Sequence, residues 1–492
     1  MKILLASSEV HPFSKTGGLA DMVGAMGKSL ARAGHEVAVI SPLYRGVAKK
    51  VPELRREDYV LDIPLGDRRV EGELWSFEEE ERLTVSFLRQ PGYFDRPGLY
   101  QENGVDYPDN AERYTFFCKC VAHIARHHPF KPDVVHGHDW QAGLVPVFIH
   151  FQEREDGWTG APATCLTIHN LAYQGVFAKT AFALTNLPWS YFTPQSLEYY
   201  GGINFLKAAI LFSDMLTTVS PRYAREITTE ALGCGLDDLL RKRQADLAGI
   251  LNGVDYSEWQ TLDNPYLLGP YSIETLDEKR KQKEALQLEL GLPVDASVPL
   301  FGTVTRLAEQ KGLDIQIAAL EEMLPNPMQF ALLGSGEAKY ELALRRLALR
   351  HPTKVAVRIG YDHGLSHRIE AGSDFFLMPS RFEPCGLNQM YSLRYGAIPI
   401  VRVTGGLDDS VVDINESFEK ANGIKFQEYS PRALAKAIRK ALTLFQNREL
   451  MEHFLQNGMA MNFSWEKTSA EYLAVYRRAL AMHPSRVALP FP

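Results

Sequence analysis

Two stretches of the sequence alternate short apolar runs with segments of helical spacing, and this alternation constrains the fold more than any other feature. The first stretch has strand candidates at 2–7, 37–40, 134–135, 164–168 and 216–219, with a helical pattern at 19–33. The second stretch has strand candidates at 300–304, 329–333, 355–359, 374–378 and 398–401. Because strand–helix–strand units build parallel sheets, the sequence predicts an α/β fold with two doubly wound domains.

The chain has 492 residues, which is too long for a single hydrophobic core. The clearest break in the pattern lies at 255–297, where Pro and Gly residues flank a charged helical segment. We therefore predict an N-terminal domain at 1–255, a C-terminal domain at 256–464 and a final amphipathic helix within 465–485.

The region from about 50 to 110 departs from the strand–helix pattern. Alternating residues at 69–77 and 83–87 predict an antiparallel insertion. Residues 92–110 are rich in Gly, Pro, Asp and Tyr and predict a long surface loop. At the other end of the chain, the tail at 486–492 is predicted to be irregular.

Composition excludes several classes of protein. The net charge is -7, so no global basic field favours nucleic acid or anionic lipid. Five cysteines are odd in number and sparse, which indicates free thiols in a reducing compartment. The first apolar run is too short for a signal peptide, and no run has the length of a membrane span. We expect a cytoplasmic protein without membrane or nucleic-acid partners.

The loop after the first strand is a candidate anion site. Gly17 and Gly18 lie where their amides can approach an anion at a helix N-terminus, and Lys15 adds a positive charge. A diphosphate matches this arrangement, although on the glycines alone a tight turn with a solvent lysine is equally well supported. The Gly-x-Gly-x-x-Gly fingerprint of dinucleotide oxidoreductases is absent.

The second domain offers a complementary set of charges at its strand ends. Arg306 and Lys311 follow its first strand, and a guanidinium plus an ammonium can clamp a diphosphate. Glu383 follows the strand at 374–378, where a carboxylate can hold sugar hydroxyls or offset positive charge at an anomeric carbon. The alternative interpretation of Arg306 and Lys311 is two surface bases. The alternative interpretation of Glu383 is a carboxylate that stabilises the start of a helix.

Polar residues also follow strands of the first domain. His136, His138 and Asp139 end one strand and His169 ends the next. Metal binding by two histidines at i and i+2 is weakly supported without a second ligand cluster. We favour polar contacts with a substrate, and Trp140 as a sugar-stacking face.

Two further segments carry signals of their own. The segment from Thr16 to Asp21 recurs as Thr404 to Asp409, which indicates that both domains present backbone amides at helix starts. Asn252 begins an Asn-Gly-Val-Asp segment before the linker, where an Asn-Gly turn is the alternative to a site role.

Several motifs occur in order along nearly the whole chain: Lys-Thr-Gly-Gly-Leu at 15–19, His-Gly-His-Asp-Trp at 136–140, His-Asn-Leu-Ala-Tyr-Gln-Gly at 169–175, Asn-Gly-Val-Asp at 252–255, Arg-x-x-x-x-Lys-Gly at 306–312 and Phe-Glu-Pro-Cys-Gly-Leu at 382–387. Their combination resembles the bacterial glycogen synthase family, the ADP-glucose starch synthase type.

The resemblance implies a GT-B fold, with two Rossmann-like domains facing each other across a deep cleft and the last helix crossing back to the first domain. It implies transfer of glucose from ADP-glucose to the non-reducing end of an α-1,4-glucan (glycogen, starch or a maltooligosaccharide) with retention at the anomeric carbon. It also implies that neither a metal nor another cofactor takes part, because positive side chains and helix N-termini replace the divalent ion.

The resemblance also assigns site residues. The implied catalytic set is Asp139, His169, Arg306, Lys311 and Glu383. The implied donor-binding set is Lys15, Gly17, Gly18, Asp21, Asn252, Cys385, Gly386, Leu387, Thr404, Gly405, Gly406 and Leu407. Trp140 and Tyr173 are implied to stack on the acceptor sugar.

One position departs from the wider GT-B pattern. Many retaining members pair two glutamates with seven residues between them, but the residue eight positions beyond Glu383 is Tyr391. A double displacement needs two carboxylates about 5 Å apart, and only one is nominated here. The resemblance to the family then implies a front-side transfer in which the leaving phosphate takes the acceptor proton.

Three other functions remain open from the sequence. They are a UDP-glucose-dependent GT-B enzyme of the sucrose- or trehalose-forming type, a catalytically inactive glucan-binding protein, and, more remotely, an NAD-dependent dehydrogenase. If the chain is a processed plastid enzyme, its location is the plastid stroma rather than the bacterial cytoplasm.

Overall fold

The computed structural model describes residues 1–487, with side chains described to residue 483. The chain divides into two compact units. Unit 1 comprises residues 1–219, 224–253 and the described residues from 465 onward, and unit 2 comprises 220–223 and 254–464. The divisions at 253/254 and 464/465 lie within two residues of the boundaries expected from the sequence.

Fourteen strands are found in the described part of unit 1: β1 Lys2–Ala6, β2 Glu36–Pro42, β3 Arg55–Leu65, β4 Arg68–Glu80, β5 Leu83–Arg89, β6 Gln101–Glu102, β7 Val105–Asp106, β8 Val134–His138, β9 Ala163–Ile168, β10 Val176–Ala178, β11 Glu198–Tyr199, β12 Gly202–Asn204, β13 Met215–Thr218 and β14 Leu247–Gly249.

Nine of these strands form one sheet in the order β14-β13-β9-β8-β1-β2-β5-β4-β3. The strands from β14 to β5 are parallel. Because helices cover both faces of a parallel sheet, β1, β8 and β9 are almost wholly buried. The predicted antiparallel insertion is confirmed, since β4 pairs antiparallel with both β3 and β5 and extends the parallel sheet at its edge.

The helices of the first part of unit 1 are α1 Gly18–Arg32, α2 Val47–Lys50, α3 Pro91–Phe94, α4 Asn110–His127, α5 Val145–Glu155, α6 Phe205–Phe212, α7 Pro221–Glu226 and α8 Asp237–Lys242, and α7 begins within the 220–223 segment of unit 2. The surface-loop prediction for 92–110 is wrong in part. This region contains the end of α3 and the β6–β7 hairpin, and the Tyr100 hydroxyl donates a hydrogen bond to Glu9.

Unit 2 contains six parallel strands: β15 Leu300–Val304, β16 Gln329–Gly334, β17 Val355–Ile359, β18 Phe375–Met378, β19 Ile398–Arg402 and β20 Ile424–Phe426. Their order is β17-β16-β15-β18-β19-β20, the strand order of a Rossmann fold. The predictions of the first five strands are confirmed to within one residue at each end. The short β20 is not among the strands predicted from the sequence.

The helices of unit 2 are α9 Leu276–Leu290, α10 Leu313–Met323, α11 Ala338–Arg350, α12 His363–Gly372, α13 Asn388–Arg394, α14 Gly405–Ser410, α15 Pro431–Phe445 and α16 Arg448–Met459. Short 3₁₀ helices lie at Trp140–Ala142, Lys179–Thr185, Trp189–Tyr191, Gln244–Asp246 and Glu309–Lys311.

The last helix, α17 (Trp465–Val487), returns to unit 1, where Tyr472 and Tyr476 are buried in the core. It is longer than predicted, because residues 486 and 487 are helical, and the rest of the predicted irregular tail lies outside the described residues. All five cysteines are unpaired, as predicted. Among residues 1–487, no helix combines the length and apolar character that crossing a membrane requires.

Candidate functional site

In unit 1 the strand order reverses between β1 and β8, which are neighbours in the sheet. Ligands of open α/β sheets bind outside the carboxyl ends of the strands at such a reversal. The predicted residues of unit 1 lie there: the loop with Lys15 and Gly18 follows β1, Asp139 follows β8, and His169 follows the neighbouring strand β9.

Glu9, which sequence reasoning did not identify as a site residue, holds the loop in place. Its buried carboxylate accepts hydrogen bonds from the Thr16 amide at 2.5 Å, the Thr16 hydroxyl at 2.5 Å and, more weakly, the Gly17 amide at 3.4 Å. Of the two amides that the sequence assigned to an anion, the Gly17 amide therefore already faces a carboxylate. The exposed Gly18, at the start of α1, remains the better candidate for an anion contact.

Lys15 is held at the rim of the same loop. Its ammonium lies 2.7 Å from a carboxylate oxygen of Asp21, on the first turn of α1. Both side chains are partly exposed, so this ion pair contributes little stability and can open for a ligand. The structure thus brings together Lys15 and Asp21, two residues of the implied donor-binding set.

Asp139 and His169 meet at the ends of β8 and β9. The backbone amide of His169 donates to the Asp139 carboxylate at 2.7 Å. Asp139 has φ +56°, which is uncommon outside glycine and is often found at functional sites. Burial raises the pKa of Asp139 to about 7, against the opposing effect of hydrogen bonds from the His169 and Asn170 amides. Burial lowers the pKa of His169 to about 3, so its imidazole is neutral at physiological pH.

The two histidines of the His-Gly-His segment have different surroundings. His136 is fully buried, with ring nitrogens 2.8 Å from the Tyr476 hydroxyl and 2.7 Å from the Thr167 hydroxyl, so it joins β8 to β9 and α17. His138 lies 3.2 Å from His169, between their ring nitrogens Nδ1 and Nε2. His138 thus contacts the ring of the candidate site residue His169. His136 instead holds β8, β9 and α17 together.

The two aromatic residues assigned to sugar stacking differ in accessibility. The half-buried Trp140 packs edge-on against the rings of Tyr114, Phe177 and Phe205 at centroid distances of 5.0 to 6.3 Å. Tyr173 is 59% exposed and its ring is open to solvent. A stacking role therefore fits Tyr173 better than Trp140.

Asn252 lies buried near the end of the 224–253 segment of unit 1. Its side-chain oxygen Oδ1 has no hydrogen-bond partner within the described residues. A buried polar atom without a partner is unfavourable by roughly 1–3 kcal/mol, so this atom is a candidate ligand contact.

In unit 2 the strand order reverses between β15 and β18. Lys311, in the turn after β15, places its ammonium 2.5 Å from the Glu383 carboxylate, and the Ser380 hydroxyl donates to the same oxygen at 3.0 Å. Glu383 is 6% exposed. The structure thus pairs Lys311 with Glu383, where sequence reasoning had paired Lys311 with Arg306.

Arg306 lies exposed at the carboxyl end of β15. Among residues 1–487 its guanidinium has no hydrogen-bond or ion-pair partner in the protein. Since Glu383 already balances the charge of Lys311, Arg306 is the cation at this edge that an anionic ligand can engage without breaking an existing pair.

The segment that begins α14 supports the Glu383 backbone. The Gly406 amide donates to the carbonyls of Glu383 and Pro384 at 3.2 and 3.0 Å. A Cβ at Gly405 would lie 2.0 Å from the Glu383 carbonyl oxygen, and one at Gly406 would lie 2.1 Å from the Cys385 carbonyl oxygen. Only glycine allows this approach.

The donor contact expected of Leu407 needs a correction. Its side chain is fully buried against Val401, Val411 and Met378, so only its backbone can face a ligand. Thr404 is also buried, and Cys385 is 6% exposed. Gly386 has φ +70° and, with Leu387, leads into α13.

Tyr391, at the position of the missing second glutamate, has a packing role. Its ring stacks on Trp259 with a centroid distance of 3.7 Å and an interplanar angle of 3°.

Comparison with known proteins identifies the family. Residues 2–242 match the starch synthase catalytic domain and residues 291–460 match glycosyl transferases group 1. The chain is 44% identical to a glycogen synthase of Syntrophotalea carbinolica over 483 aligned residues. The alignment covers 98% of this chain and 100% of that protein. A glycogen synthase of an Anaeromyxobacter species is 46% identical over 482 residues, with 98% and 100% coverage.

The chain belongs to the glycogen and starch synthase family. It is therefore a glycosyltransferase of the GT-B type, with two Rossmann-like parallel-sheet domains. Among solved structures, the catalytic domain of starch synthase IV from Arabidopsis thaliana, bound to ADP and acarbose, matches with a TM-score of 0.87 at 32% identity, covering 97% of this chain and 99% of that chain.

A sucrose-phosphate synthase from Thermosynechococcus elongatus matches with a TM-score of 0.61 at 17% identity, covering 98% of this chain and 99% of that chain. At this identity the likeness shows the shared fold alone. Membership of the glycogen and starch synthase family, shown by sequence identity, therefore argues against the sucrose-forming alternative.

Proposed function

We propose that this glycosyltransferase transfers glucose from ADP-glucose to the non-reducing end of an α-1,4-glucan, with retention of anomeric configuration and release of ADP. The observation that carries the proposal is the buried Glu383 carboxylate, held by Lys311 at the carboxyl edge of the unit 2 sheet. The ADP and acarbose bound to the related starch synthase IV supply the ligand chemistry: a nucleoside diphosphate and a glucan-like oligosaccharide.

In this proposal unit 2 binds the donor. Arg306, exposed and without a protein partner among the described residues, binds the diphosphate. Lys311 stabilises the charge that develops on the leaving ADP, and its pairing with Glu383 holds its ammonium in place beforehand. Glu383 accepts hydrogen bonds from glucose hydroxyls, with Gly386 and the backbone of 404–407 beside it.

Unit 1 contributes polar groups of its own in this proposal. A neutral His169 donates or accepts a hydrogen bond without competing for the phosphate charge. Asp139 orients His169 through its amide and contacts a glucose hydroxyl. Lys15 and Gly18 contact the donor phosphate side, and Tyr173 stacks on the acceptor.

The proposed chemistry is a front-side displacement. The acceptor hydroxyl attacks the anomeric carbon on the face from which ADP departs, and the leaving phosphate oxygen takes the acceptor proton. The packing of Tyr391 on Trp259 supports this route, because no second carboxylate occupies that position. Trapping a covalent glucosyl-enzyme at a side-chain carboxylate would contradict it.

A donor and acceptor assay tests the function. ADP-glucose and UDP-glucose are each supplied with glycogen, with fructose 6-phosphate or with glucose, and nucleotide release is measured. We expect turnover with ADP-glucose and glycogen, and an α-linked product by proton NMR. Preferential turnover of UDP-glucose with a small acceptor would establish the sucrose- or trehalose-type alternative, and no turnover with glycogen bound would establish an inactive binding protein.

We further propose that the transfer itself needs no divalent cation, because Arg306 and Lys311 supply the positive charge. After treatment with EDTA, added Mg²⁺ or Mn²⁺ should leave kcat unchanged. A rise of kcat on adding either ion would show that the two side chains are insufficient.

We place the protein in the bacterial cytoplasm, or in the plastid stroma for a processed plastid enzyme, where ADP-glucose is used.

A further inference from the structure

A second cluster of polar side chains lies in unit 2, on residues to which the proposed transfer assigns no role. His363 and His367 are one turn apart on α12, and Glu258 lies in the segment that precedes α9. One ligand atom from each of the three side chains lies within 4.8 Å of the others. The His363 Nε2 atom is 3.1 Å from the Glu258 carboxylate and 3.3 Å from the His367 Nε2 atom.

These distances do not fit a simple hydrogen-bond chain. An imidazole nitrogen has one in-plane lone pair or proton and makes one good hydrogen bond. The His363 Nε2 atom faces both a carboxylate oxygen of Glu258 and the Nε2 atom of His367. When its single proton or lone pair is used in one of these contacts, the other contact is not a hydrogen bond. A cation between the three atoms satisfies all of them together.

The two separations from the His363 Nε2 atom, 3.1 Å and 3.3 Å, suit a tetrahedral metal ion. Ligand atoms about 2.0–2.1 Å from Zn²⁺ are separated by about 3.3–3.4 Å along the edges of a tetrahedron. Two imidazole nitrogens and one carboxylate oxygen form a ligand set that zinc accepts, whereas Ca²⁺ and Mg²⁺ favour oxygen ligands alone. The two partly exposed members, His363 and Glu258, retain about a third of their side-chain surface, which leaves an entry path and room for a water ligand.

The surrounding residues hold the imidazoles in orientation. Trp259 stacks on the His367 ring at a centroid distance of 4.1 Å, and Tyr266 lies edge-on to His363 at 5.1 Å. The other nitrogen of His367, Nδ1, lies 2.7 Å from the Tyr395 hydroxyl, which accepts a hydrogen bond from Asn264. A ligating histidine bonded through its second nitrogen in this way has a fixed ring and tautomer.

We propose that Glu258, His363 and His367 form a binding site for a divalent transition metal ion, with Zn²⁺ as the best-fitting ion and water as the fourth ligand. Binding joins the segment after residue 254 to α12 and stabilises unit 2. The ion has no part in the proposed glucosyl transfer. The metal site can therefore be tested independently of the proposed function.

Calorimetric titration of the metal-free full-length protein with zinc sulfate tests the site. We expect one Zn²⁺ per chain, and His363→Gln and Glu258→Gln should each weaken binding at least about tenfold. His123→Gln is the matched control, because His123 and His127 also lie one turn apart on a helix, α4, in unit 1. This control should bind zinc as the wild type does.

Substitution with Co²⁺ supplies a second readout. The wild-type protein should show the intense visible absorption of tetrahedral Co²⁺, and His363→Gln should lose it. Circular dichroism of the substituted proteins separates lost binding from lost folding, and both substituted positions are partly exposed. The proposal is overturned if the wild type binds no zinc, or if the affinity and the cobalt spectrum survive both substitutions.

Discussion

At the scale of single residues, the contact of Lys311 with Glu383 accounts for how a carboxyl group is accommodated at a buried position. Glu383 is 6% exposed, and burying an unpaired charge is strongly unfavourable. The ammonium of Lys311 at 2.5 Å and the Ser380 hydroxyl at 3.0 Å offset that cost. In the proposed transfer the same contact positions Lys311 for the leaving group, so we expect stability and activity to be coupled at this residue.

Lys311→Ala removes the partner and leaves Glu383 buried without a counter-charge. We expect a loss of about 1–3 kcal/mol in the free energy of unfolding, below the value for fully buried pairs because Lys311 is 19% exposed, and at least a 100-fold fall in kcat/KM. Urea unfolding and initial rates measure the two effects. Lys339→Ala, which breaks an exposed pair with Glu337 in the same unit, should change stability far less, because solvent screens an exposed pair. Equal stability of the two variants would contradict the argument.

Asp139→Asn tests the raised pKa of Asp139. With a folded pKa of about 7 against an ordinary value of 3.8, the folded protein holds a proton that the unfolded chain has lost between those pH values. Stability contributed by Asp139 therefore falls as pH rises through this window, and the variant lacks this loss. The free energy of unfolding of Asp139→Asn, relative to wild type, should rise from pH 5 to pH 8 in urea titrations. A constant difference across that range would show that Asp139 is not titrating there.

At the scale of secondary-structure elements, the start of α14 explains the geometry around Glu383. Gly405 has φ +43°, in the region that favours glycine, and the backbones of Gly405 and Gly406 touch the carbonyls of 383–385. A helix start that is packed this closely holds the strand-end segment at one position.

Gly406→Ala should disturb this packing. The added Cβ would lie 2.1 Å from the Cys385 carbonyl oxygen, so one of the two backbones must move. We expect a loss of about 1–3 kcal/mol in stability and a fall in kcat/KM. Gly269→Ala is the control in the same unit, because its Cβ would have no atom within 4 Å. Thermal unfolding of both variants measures the difference, and equal melting temperatures would contradict the packing argument.

The C-terminal helix α17 is joined to unit 1 by a charged contact. His483 lies 3.0 Å from the Asp214 carboxylate and 3.2 Å from the Glu153 carboxylate. Burial lowers the pKa of His483, but hydrogen bonds and charge from the two carboxylates outweigh it and raise the pKa to about 10.

His483→Gln tests this contact. Because the folded pKa lies above the ordinary value of 6.5, the stabilisation is fully present below pH 6.5 and is lost as pH rises through about 10. The variant should be less stable than wild type at pH 6, and the two should converge towards pH 10. Urea titrations at several pH values measure the difference, and a deficit that persists unchanged at pH 10 would indicate lost packing rather than lost charge.

At the scale of the whole molecule, each unit has its own hydrophobic core. The core cluster of unit 1 includes Tyr472 and Tyr476 of α17, so the chain returns from unit 2 to complete the first core. The clusters of unit 2 draw only on residues between 254 and 464 among those described. Two separate cores can unfold in separate steps.

Differential scanning calorimetry should reveal those steps as a calorimetric enthalpy greater than the van't Hoff enthalpy.

ADP at about 100 times its Kd should add about 2.7 kcal/mol to the stability of the unit that binds it, and we expect this to be unit 2. Lys311→Ala should reduce the ADP effect, whereas Lys339→Ala should retain it. A single two-state transition that ADP shifts as a whole would show that the two cores unfold together.

The sequence by itself determined most of the parallel strands and the two-domain architecture, because hydrophobic periodicity is a local property of the chain. It predicted five of the six strands of unit 2 and located the polar residues at strand ends. The family motifs, read in order, indicated the chemistry that the comparisons then supported at the level of the family. The 18-residue helix α4 was not among the predicted elements, and neither was β20, whose three residues are too few to show a period.

Only the tertiary structure decided which of those polar residues meet. The pairing of Lys311 with Glu383, the role of Glu9 beneath the Lys15 loop and the burial of Leu407 depend on strand order and on contacts between distant segments. Such contacts have no local periodicity in the sequence. The meeting of Glu258 with His363 and His367 has the same origin, because about a hundred residues of chain separate a carboxylate from the imidazoles that the fold places beside it.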